Sequence, residues 1–138
     1  LNNMTEANIS RAALESAIFG LKLGLDAFSD LGYEAQEIRL IGGGAKSAVW
    51  RQMVADICNL PVVVPVITEA AALGSALQAY WCLSHLSGRA ETIENIVADH
   101  VRLDTVAACT PVAEHIEAYK KVYNTYKKYV DTVEPLFD

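Results

Sequence analysis

The chain has 138 residues, of which 52% are apolar and 20% are charged, the balance of an ordinary globular domain. Eleven basic residues against seventeen acidic ones give a formal net charge of −6. No cluster of Lys or Arg forms a stripe that could follow a phosphate backbone, so the composition argues against a nucleic-acid partner.

The three cysteines, Cys58, Cys82 and Cys109, are odd in number and widely spaced. This pattern excludes a fully paired disulfide framework and a CxxC metal or redox motif. Each cysteine has apolar neighbours in the sequence. We therefore expect buried, unreactive thiols and a reducing, cytoplasmic location.

The most apolar segment, residues 62–83, is interrupted by Pro65, Glu69 and Gln78 and is too polar for a membrane-spanning helix. The N-terminus lacks the basic and apolar regions of a signal peptide. The chain begins with Leu rather than Met, so we expect it to be a piece of a longer protein. No metal site is expected, because the histidines lack the spacing of metal ligands. They are His85, His100 and His115.

The first helix is predicted by an apolar stripe at alternating spacings of four and three residues. The stripe consists of Leu14, Ile18, Leu21, Leu25 and Phe28. Thr5 or Asn8 can cap the start of this helix, and Gly32 can end it. Residues 37–41 then end in two aliphatic side chains before a run of glycines, a pattern that predicts a buried strand.

Ser47 is placed to cap a second helix, which the sequence ends near Asn59. Three valines at positions 62–64 predict a β-branched strand. Thr68 can cap a third helix over residues 69–86, which is dense in Ala, Gly and Ser. A glycine inside a helix costs about 1 kcal/mol relative to Ala, so Gly74 indicates close packing against another backbone.

The pattern is weak over residues 87–109, where the sequence predicts a short helix at 94–98 followed by a connector. The last helix is predicted over residues 110–134, with Thr110 as its cap and Pro111 in its first turn. Its apolar stripe is rich in tyrosine, and lysines line the opposite side. A coiled-coil seam would also show an apolar stripe, but a tyrosine-rich core face with a solvated lysine face accounts for the pattern better.

Two strands separated by one helix predict a parallel βαβ unit and therefore the α/β class. Two strands alone make a poor sheet. We therefore expect the sheet to be incomplete in this chain, with its remaining strands contributed by residues that precede Leu1.

A glycine-rich bend, L-I-G-G-G-A-K-S over residues 40–47, lies between the first predicted strand and the second helix. Glycines allow positive φ angles and the close approach of a ligand, and the unpaired amides at a helix N-terminus attract anions. Lys46 adds a cation beside these amides. A tight turn that is rich in glycine for structural reasons alone remains an alternative.

Two common phosphate-binding motifs do not fit the bend. The motif G-x-x-x-x-G-K-[ST] requires glycines where Leu40 and Ala45 stand. The dinucleotide fingerprint G-x-G-x-x-G meets Ser47 at its third glycine and lacks an acid after the next strand, where Val64 and Pro65 stand. The bend is therefore predicted to cradle a nucleotide from one side, while other loops supply the phosphate chemistry.

The bend belongs to a longer pattern, L-I-G-G-G-A-K-S-x-x-W-x-Q-x-x-A-D over residues 40–56, followed by E-A-A-A-L-G-S-A over residues 69–76. Upstream, residues 11–15 read R-A-A-L-E. This combination resembles the C-terminal ATP-binding domain of the FGGY carbohydrate kinases, and within that family the xylulose kinases most of all. The resemblance covers residues 9–129.

The resemblance implies that residues 1–138 form the C-terminal part of that domain, with residues 110–134 as its last helix. The implied fold is a partial actin-like (ribonuclease H-like) ATPase domain: a βαβ unit with flanking helices and an incomplete sheet. The small-residue segment around Gly74 resembles the hinge helix that slides against its counterpart in the other domain of the family.

The resemblance also implies that the bend lies against the α-phosphate and ribose of ATP. Five residues form this expected site: Gly43, Gly44, Ala45, Lys46 and Ser47. A solvated Lys46 is the alternative at that position, and Ser47 is first of all a helix cap. Ala48 stands where the glycerol kinases carry an amide near adenine, so that contact is expected to be absent.

For the whole protein, the resemblance implies transfer of the ATP γ-phosphate to a sugar hydroxyl, with D-xylulose converted to D-xylulose 5-phosphate as the expected reaction. Other sugars of the family, such as gluconate or glycerol, and an actin-like ATPase without a sugar substrate are the alternatives. No residue here matches the family's catalytic base, and the Mg²⁺ ligands and sugar-binding residues are expected outside this chain. The chain alone is therefore expected to be inactive.

The expected partners follow from the same resemblance. They are the N-terminal remainder of the same protein and a small-molecule sugar, with neither nucleic acid nor membrane and with a homodimer left open. Trp50 is expected to pack the second helix against the sheet, and Glu69 to favour the dipole of the third helix.

Overall fold

The computed structural model describes residues 3–89 and 91–137, so residues 1, 2, 90 and 138 of the predicted domain lie outside the described part. The described residues form five α-helices and three strands, with short 3₁₀ turns at Gly43–Lys46 and Glu134–Leu136. In chain order the elements are α1 (Glu6–Asp30), β1 (Ile38–Arg39), α2 (Ala48–Cys58), β2 (Val62–Pro65), α3 (Ala70–Leu86), α4 (Ile93–His100), β3 (Leu103–Cys109) and α5 (Ala113–Val133).

The limits of α1 confirm the predicted start and stop. Thr5 is the N-cap, and its Oγ1 accepts a hydrogen bond from the Asn8 amide at 3.2 Å. Beyond the helix, Gly32 has a φ of +87°, a conformation that favours glycine and turns the chain away. The residues next to its two ends are therefore sufficient to predict the limits of this helix.

The predicted apolar stripe of α1 is only partly buried. Ile18 is fully covered, whereas Leu21 and Phe28 are each 61% exposed. The buried face of α1 is therefore shifted from the predicted stripe toward Phe19. The reason is that Tyr119 of α5 packs against Phe19 on this side of the helix. The flank of the stripe that faces away from α5 is left open.

The strands form one small sheet with the order β1-β2-β3. β1 and β2 are parallel, with Ile38 opposite Val62 and Arg39 opposite Val63. Since α2 connects these two strands, the predicted βαβ unit is confirmed. β3 lies antiparallel to β2 on its other side.

β3 corrects the expectation that this region is a connector and that the chain contributes only two strands. Its inward positions, Asp104, Ala107 and Cys109, are small or polar and only half-buried, while Val106 is 92% exposed. A strand is recognised by large apolar residues at alternate positions, and this one lacks them. Asp104 Oδ1 also accepts hydrogen bonds from the Val106 and Ala107 amides at 2.9 and 3.1 Å.

Two helices begin later than the sequence predicts, because main-chain groups before them are bonded elsewhere. The Thr68 carbonyl accepts a hydrogen bond from the Gly42 amide at 3.3 Å, and α3 begins at Ala70 without a side-chain cap. The last helix was predicted over residues 110–134, with Thr110 as its cap. It begins instead at Ala113, because residues 110 and 112 are bonded to α2, as described below, and Val112 is extended.

The Gly74 face of α3 is open. No heavy atom of the described chain lies within 4 Å of the position that a Cβ on Gly74 would take. The close packing inferred from this glycine therefore has no partner among the described residues. Its role in a hinge helix stays a prediction.

The core lies between α1, α2 and α5 and includes β2. Its buried members are Ile18, Phe19, Met53, Val54, Ala55, Ile57, Cys58, Val62, Tyr119 and Tyr123. The Phe19 ring lies 6.3, 5.6 and 5.3 Å from the ring centroids of Tyr119, Tyr123 and Tyr126. The predicted tyrosine-rich core face of α5 is therefore confirmed, and the aromatic rings pack edge-on or tilted as such pairs prefer.

A polar contact at the edge of this core also links α1 to α5. The Tyr123 hydroxyl donates to Asp26 Oδ2 at 2.6 Å, and Lys22 Nζ donates to Asp26 Oδ1 at 2.8 Å. Burial acts to raise the pKa of Asp26, but the hydrogen bonds from Lys22 and Tyr123 outweigh it, so this pKa lies below its ordinary value.

The three cysteines differ in exposure. Cys58 is buried, and burial raises the pKa of its thiol to about 11. Cys109 is half-buried, and burial raises the pKa of its thiol as well. The expectation of a buried thiol is wrong for Cys82, which is exposed on α3 because that face of the helix packs against nothing in the described chain.

Replacing Tyr123 with Phe should lower the free energy of unfolding by about 1 kcal/mol at pH 7, because Asp26 loses a donor at the edge of the core. The measurement is urea unfolding. Tyr129→Phe is the matched control, since its ring is 68% exposed, and it should leave stability unchanged.

The effect of Tyr123→Phe should also depend on pH. The folded-state pKa of Asp26 is depressed, so its contribution is present above the ordinary carboxyl pKa and is lost as the pH falls through the folded value. An equal loss of stability at pH 7 and at pH 2 would contradict the role assigned to this hydrogen bond.

Candidate functional site

The glycine bend lies at the carboxyl end of β1, directly before α2. Gly42 has φ +76° and ψ −161°, a conformation that requires glycine, and its amide is bonded to the Thr68 carbonyl. The Leu40 amide donates to the Val63 carbonyl at 2.9 Å. These two bonds attach the start of the bend to β2 and to the loop that follows it, at the sheet edge where ligands bind in parallel α/β units.

The amides of Gly43 and Gly44 are not used by the hydrogen bonds that close the bend. The Ala45 amide donates to the Gly42 carbonyl at 3.2 Å, and the Ser47 amide donates to the Gly44 carbonyl at 3.1 Å. Within residues 3–89 and 91–137, no hydrogen-bond partner is present for the amides of Gly43 and Gly44. Gly43 is exposed and Gly44 half-buried. The bend is thus open on one side and supplies two donors there.

Gly44 is required by its contact with Trp50. A Cβ on Gly44 would lie 2.7 Å from Trp50 Nε1 and 2.9 Å from Cδ1 of the same ring, closer than real side chains approach. For Gly43, no heavy atom of the described residues lies within 4 Å of the corresponding Cβ position, apart from those of Gly43 itself and its two chain neighbours. Gly44 therefore leaves room for the Trp50 ring. Gly43 instead faces open space, where a ligand could approach.

The five predicted site residues do not all face the same way. Gly43 and Lys46 are exposed and Gly44 is half-buried against Trp50, whereas the Ala45 side chain is only 2% exposed and points into the protein. Ser47 caps α2, with its Oγ accepting from the Trp50 amide at 3.3 Å. The nucleotide contacts expected of these residues stay a prediction, and Ala45 holds the bend from inside.

The N-terminus of α2 carries an uncompensated positive potential. An acid stands in the first turn of α1, α4 and α5, and Glu69 is the N-cap residue of α3. α2 has no acid at its N-cap or in its first turn, and Lys46 precedes it. Since an anion at a helix N-terminus is stabilised, α2 is the described α-helix whose N-terminus would gain most from a negatively charged ligand.

The other end of α2 is fixed by Asp56, the last residue of the pattern W-x-Q-x-x-A-D, whose side-chain contacts the sequence did not predict. Asp56 is 3% exposed, and its Oδ1 accepts from Gln52 Nε2 at 2.8 Å and from the Val112 amide at 2.9 Å. Its Oδ2 lies 2.7 Å from His115 Nδ1. Gln52 also donates to the Thr110 carbonyl at 2.9 Å. The signal available in the sequence was an acid inside the apolar run M-V-A-D-I-C.

A groove of about 450 Å³ opens at the same edge of the sheet as the bend. The β2–α3 loop and the segment between α4 and β3 form its walls, with the Val66 amide bonded to the Arg102 carbonyl at 2.9 Å. Its lining residues are Pro65, Val66, Ile67, Leu73, Asp99, His100, Val101 and Arg102. The sequence did not predict this groove, because half of its wall precedes the unrecognised strand β3.

The described residues contain no group of three or more His, Cys, Asp and Glu side chains that could hold a metal ion. Nor does any helix in the described ranges combine the length and apolar character needed to cross a bilayer.

The model of the C-terminal domain of the FGGY family of carbohydrate kinases matches residues 2–83, which contain α1, the bend, α2, β2 and most of α3. The chain belongs to the FGGY carbohydrate kinases. Its small mixed sheet with flanking helices is accordingly part of the actin-like ATPase fold of that family.

Similar FGGY proteins match the chain along nearly its whole length. A xylulose kinase of Haemophilus influenzae is 40% identical over 136 residues, covering 99% of this chain and 26% of its own length. A xylulose kinase of Bacillus subtilis is 32% identical over 117 residues, covering 85% of this chain and 22% of its own. The chain thus spans about a quarter of the length of the curated relatives it matches.

The fold is also similar to that of solved FGGY kinases. The crystal structure of xylulose kinase from Rhodospirillum rubrum superimposes with a TM-score of 0.78 at 26% identity, over 98% of this chain and 26% of that one. The similarity extends through β3 and α5, beyond the residues that the family model matches.

Two glycine variants should separate the structural from the binding role of the bend. Gly44→Ala should lower the free energy of unfolding by about 1–3 kcal/mol, because the new methyl group meets the Trp50 ring. Gly43→Ala should leave stability nearly unchanged but weaken ATP binding, because its methyl group occupies the open side. Thermal unfolding and calorimetric ATP titration of the full-length protein measure the two effects. Equal loss of stability in both variants would contradict this division.

Proposed function

We propose that the chain is the ATP-binding C-terminal part of a sugar kinase that transfers the γ-phosphate of ATP to D-xylulose, giving D-xylulose 5-phosphate. The observation that carries this proposal is the open side of the bend before α2, where the amides of Gly43 and Gly44 have no hydrogen-bond partner among the described residues. Whole-chain similarity to xylulose kinases supports the choice of sugar.

The residues of the bend fit a nucleotide phosphate. The two free amides donate hydrogen bonds to its oxygens, and the dipole of α2 and the Lys46 ammonium group stabilise its negative charge. The missing side chain at Gly43 lets the ribose lie against the backbone. Bound Mg-ATP supplies the phosphoryl group, and this chain's part in the transfer is to position it.

The base that deprotonates the sugar hydroxyl is assigned to the part of the protein outside this chain, together with the Mg²⁺ ligands. Asp56 does not suit the task, since its oxygens are occupied by Gln52, Val112 and His115 inside the protein. Glu69 is exposed, but it stands at the N-cap of α3, where its charge favours the helix dipole.

The N-terminal remainder of the protein is the partner that this chain is proposed to need. Exposed apolar side chains on α1 and β3 support this, because surfaces of this kind are normally covered by another element. Leu21, Phe28 and Val106 are the main examples. The proposed location is the cytoplasm, whose reducing conditions preserve free thiols such as Cys58 and Cys109.

The full-length protein should phosphorylate D-xylulose with a kcat/KM about tenfold or more above that for L-xylulose, gluconate or glycerol, because a site built to bond sugar hydroxyls rejects those placed differently. A coupled assay of ADP release measures this. A preference for another of these sugars would refute the substrate but not the kinase. ADP release that is the same with and without sugar would refute both and favour an actin-like ATPase.

A further inference from the structure

Arg51 reaches back from α2 to the glycine bend. It is the fourth residue of the helix and half-buried, and its Nη1 donates to the Ala45 carbonyl at 2.7 Å. Side chains in helices lean toward the N-terminus, so this position carries the guanidinium group under the bend. We propose, on the basis of the proposed function, that Arg51 is a positioning residue that holds the bend in the shape required for nucleotide binding.

The Ala45 carbonyl needs a donor of this kind. Ser47, with φ −92° and ψ 116°, is extended and separates the 3₁₀ turn from α2, so the helical hydrogen-bond ladder does not run through the bend. Ala45 is buried, and a buried carbonyl without a partner is unfavourable. Arg51 satisfies it from within the protein and leaves the opposite side of the bend free.

The hydrogen bond from Arg51 to Ala45 is connected to the free amides of Gly43 and Gly44 through a single turn of the backbone. The Ala45 amide is bonded to the Gly42 carbonyl, so the peptide groups of Gly43 and Gly44 lie in a closed turn that Arg51 holds at its carboxyl end. Trp50 supports the same turn at Gly44. Trp50 and Arg51, which are consecutive on α2, therefore hold the bend at the adjacent residues Gly44 and Ala45.

The charge of Arg51 agrees with a role in binding an anion. A cation in the first turns of a helix is unfavourable against the helix dipole. The Lys and Arg ion pairs among the described residues involve other cations: Arg11, Lys22, Arg39 and Lys120. Arg51 thus adds its charge to that of Lys46 at the N-terminus of α2, an arrangement that a bound phosphate stabilises.

The test is steady-state kinetics of the full-length enzyme carrying Arg51→Ala, with the KM measured separately for ATP and for the sugar. Loss of a charged hydrogen bond should raise the KM for ATP about tenfold. The KM for the sugar should stay within about twofold of the wild-type value, since the bend does not touch it in this account. Arg51→Lys, which keeps the charge but not the fork of donors, should raise the KM for ATP about threefold.

Arg39→Ala is the matched control. Arg39 is also an arginine near the bend, on β1, but it is bonded to Glu37 at 2.7 Å and is exposed. This variant should leave both KM values unchanged.

An unchanged KM for ATP in Arg51→Ala, or an equal rise of both KM values, would overturn the inference. If Arg51→Ala does not fold, Arg51→Lys decides the question, and an unchanged KM for ATP in that variant overturns it too. A wild-type protein that neither binds ATP nor phosphorylates sugar would instead refute the proposed function, so the two failures are distinguishable.

Discussion

The contact between the Trp50 ring and the Gly44 backbone is the constraint on which the candidate site depends. Because the ring lies where a side chain of Gly44 would be, the bend can come close to the first turn of α2. That approach allows the Ser47 cap and the Arg51 contact to form at neighbouring positions. The inner side of the bend is filled by the protein itself, and within the described residues the amides of Gly43 and Gly44 have no hydrogen-bond partner.

The same helix connects the bend to the far side of the core. Gln52 and Asp56, one turn apart on α2, bind the main chain just before α5, and these bonds keep residues 110–112 out of the helix. The motif W-x-Q-x-x-A-D thus has a physical meaning in this chain. Its Trp50 supports the bend, and its two polar residues anchor the helix that carries the bend, while Ala55 is fully buried between them.

The features that could be predicted from the sequence depend on neighbouring residues. Most of those that could not be predicted depend on contacts between residues far apart in the chain. The Ser47 cap follows from neighbouring residues, and it was predicted. β3 was missed because Asp104 and small residues stand where large apolar side chains mark a strand. The late start of α5 depends on Asp56, which lies more than fifty residues earlier. The inward turn of Ala45 results from the 3₁₀ turn, which a glycine run does not reveal.

The central claim is that the open amides of the bend receive the phosphates of ATP, and a crystal structure of the full-length protein with Mg²⁺ and a non-hydrolysable ATP analogue tests it most directly. The account predicts an oxygen of the nucleotide within about 2.7–3.2 Å of the Gly43 or Gly44 nitrogen. A nucleotide bound elsewhere, with both amides facing solvent, would contradict it.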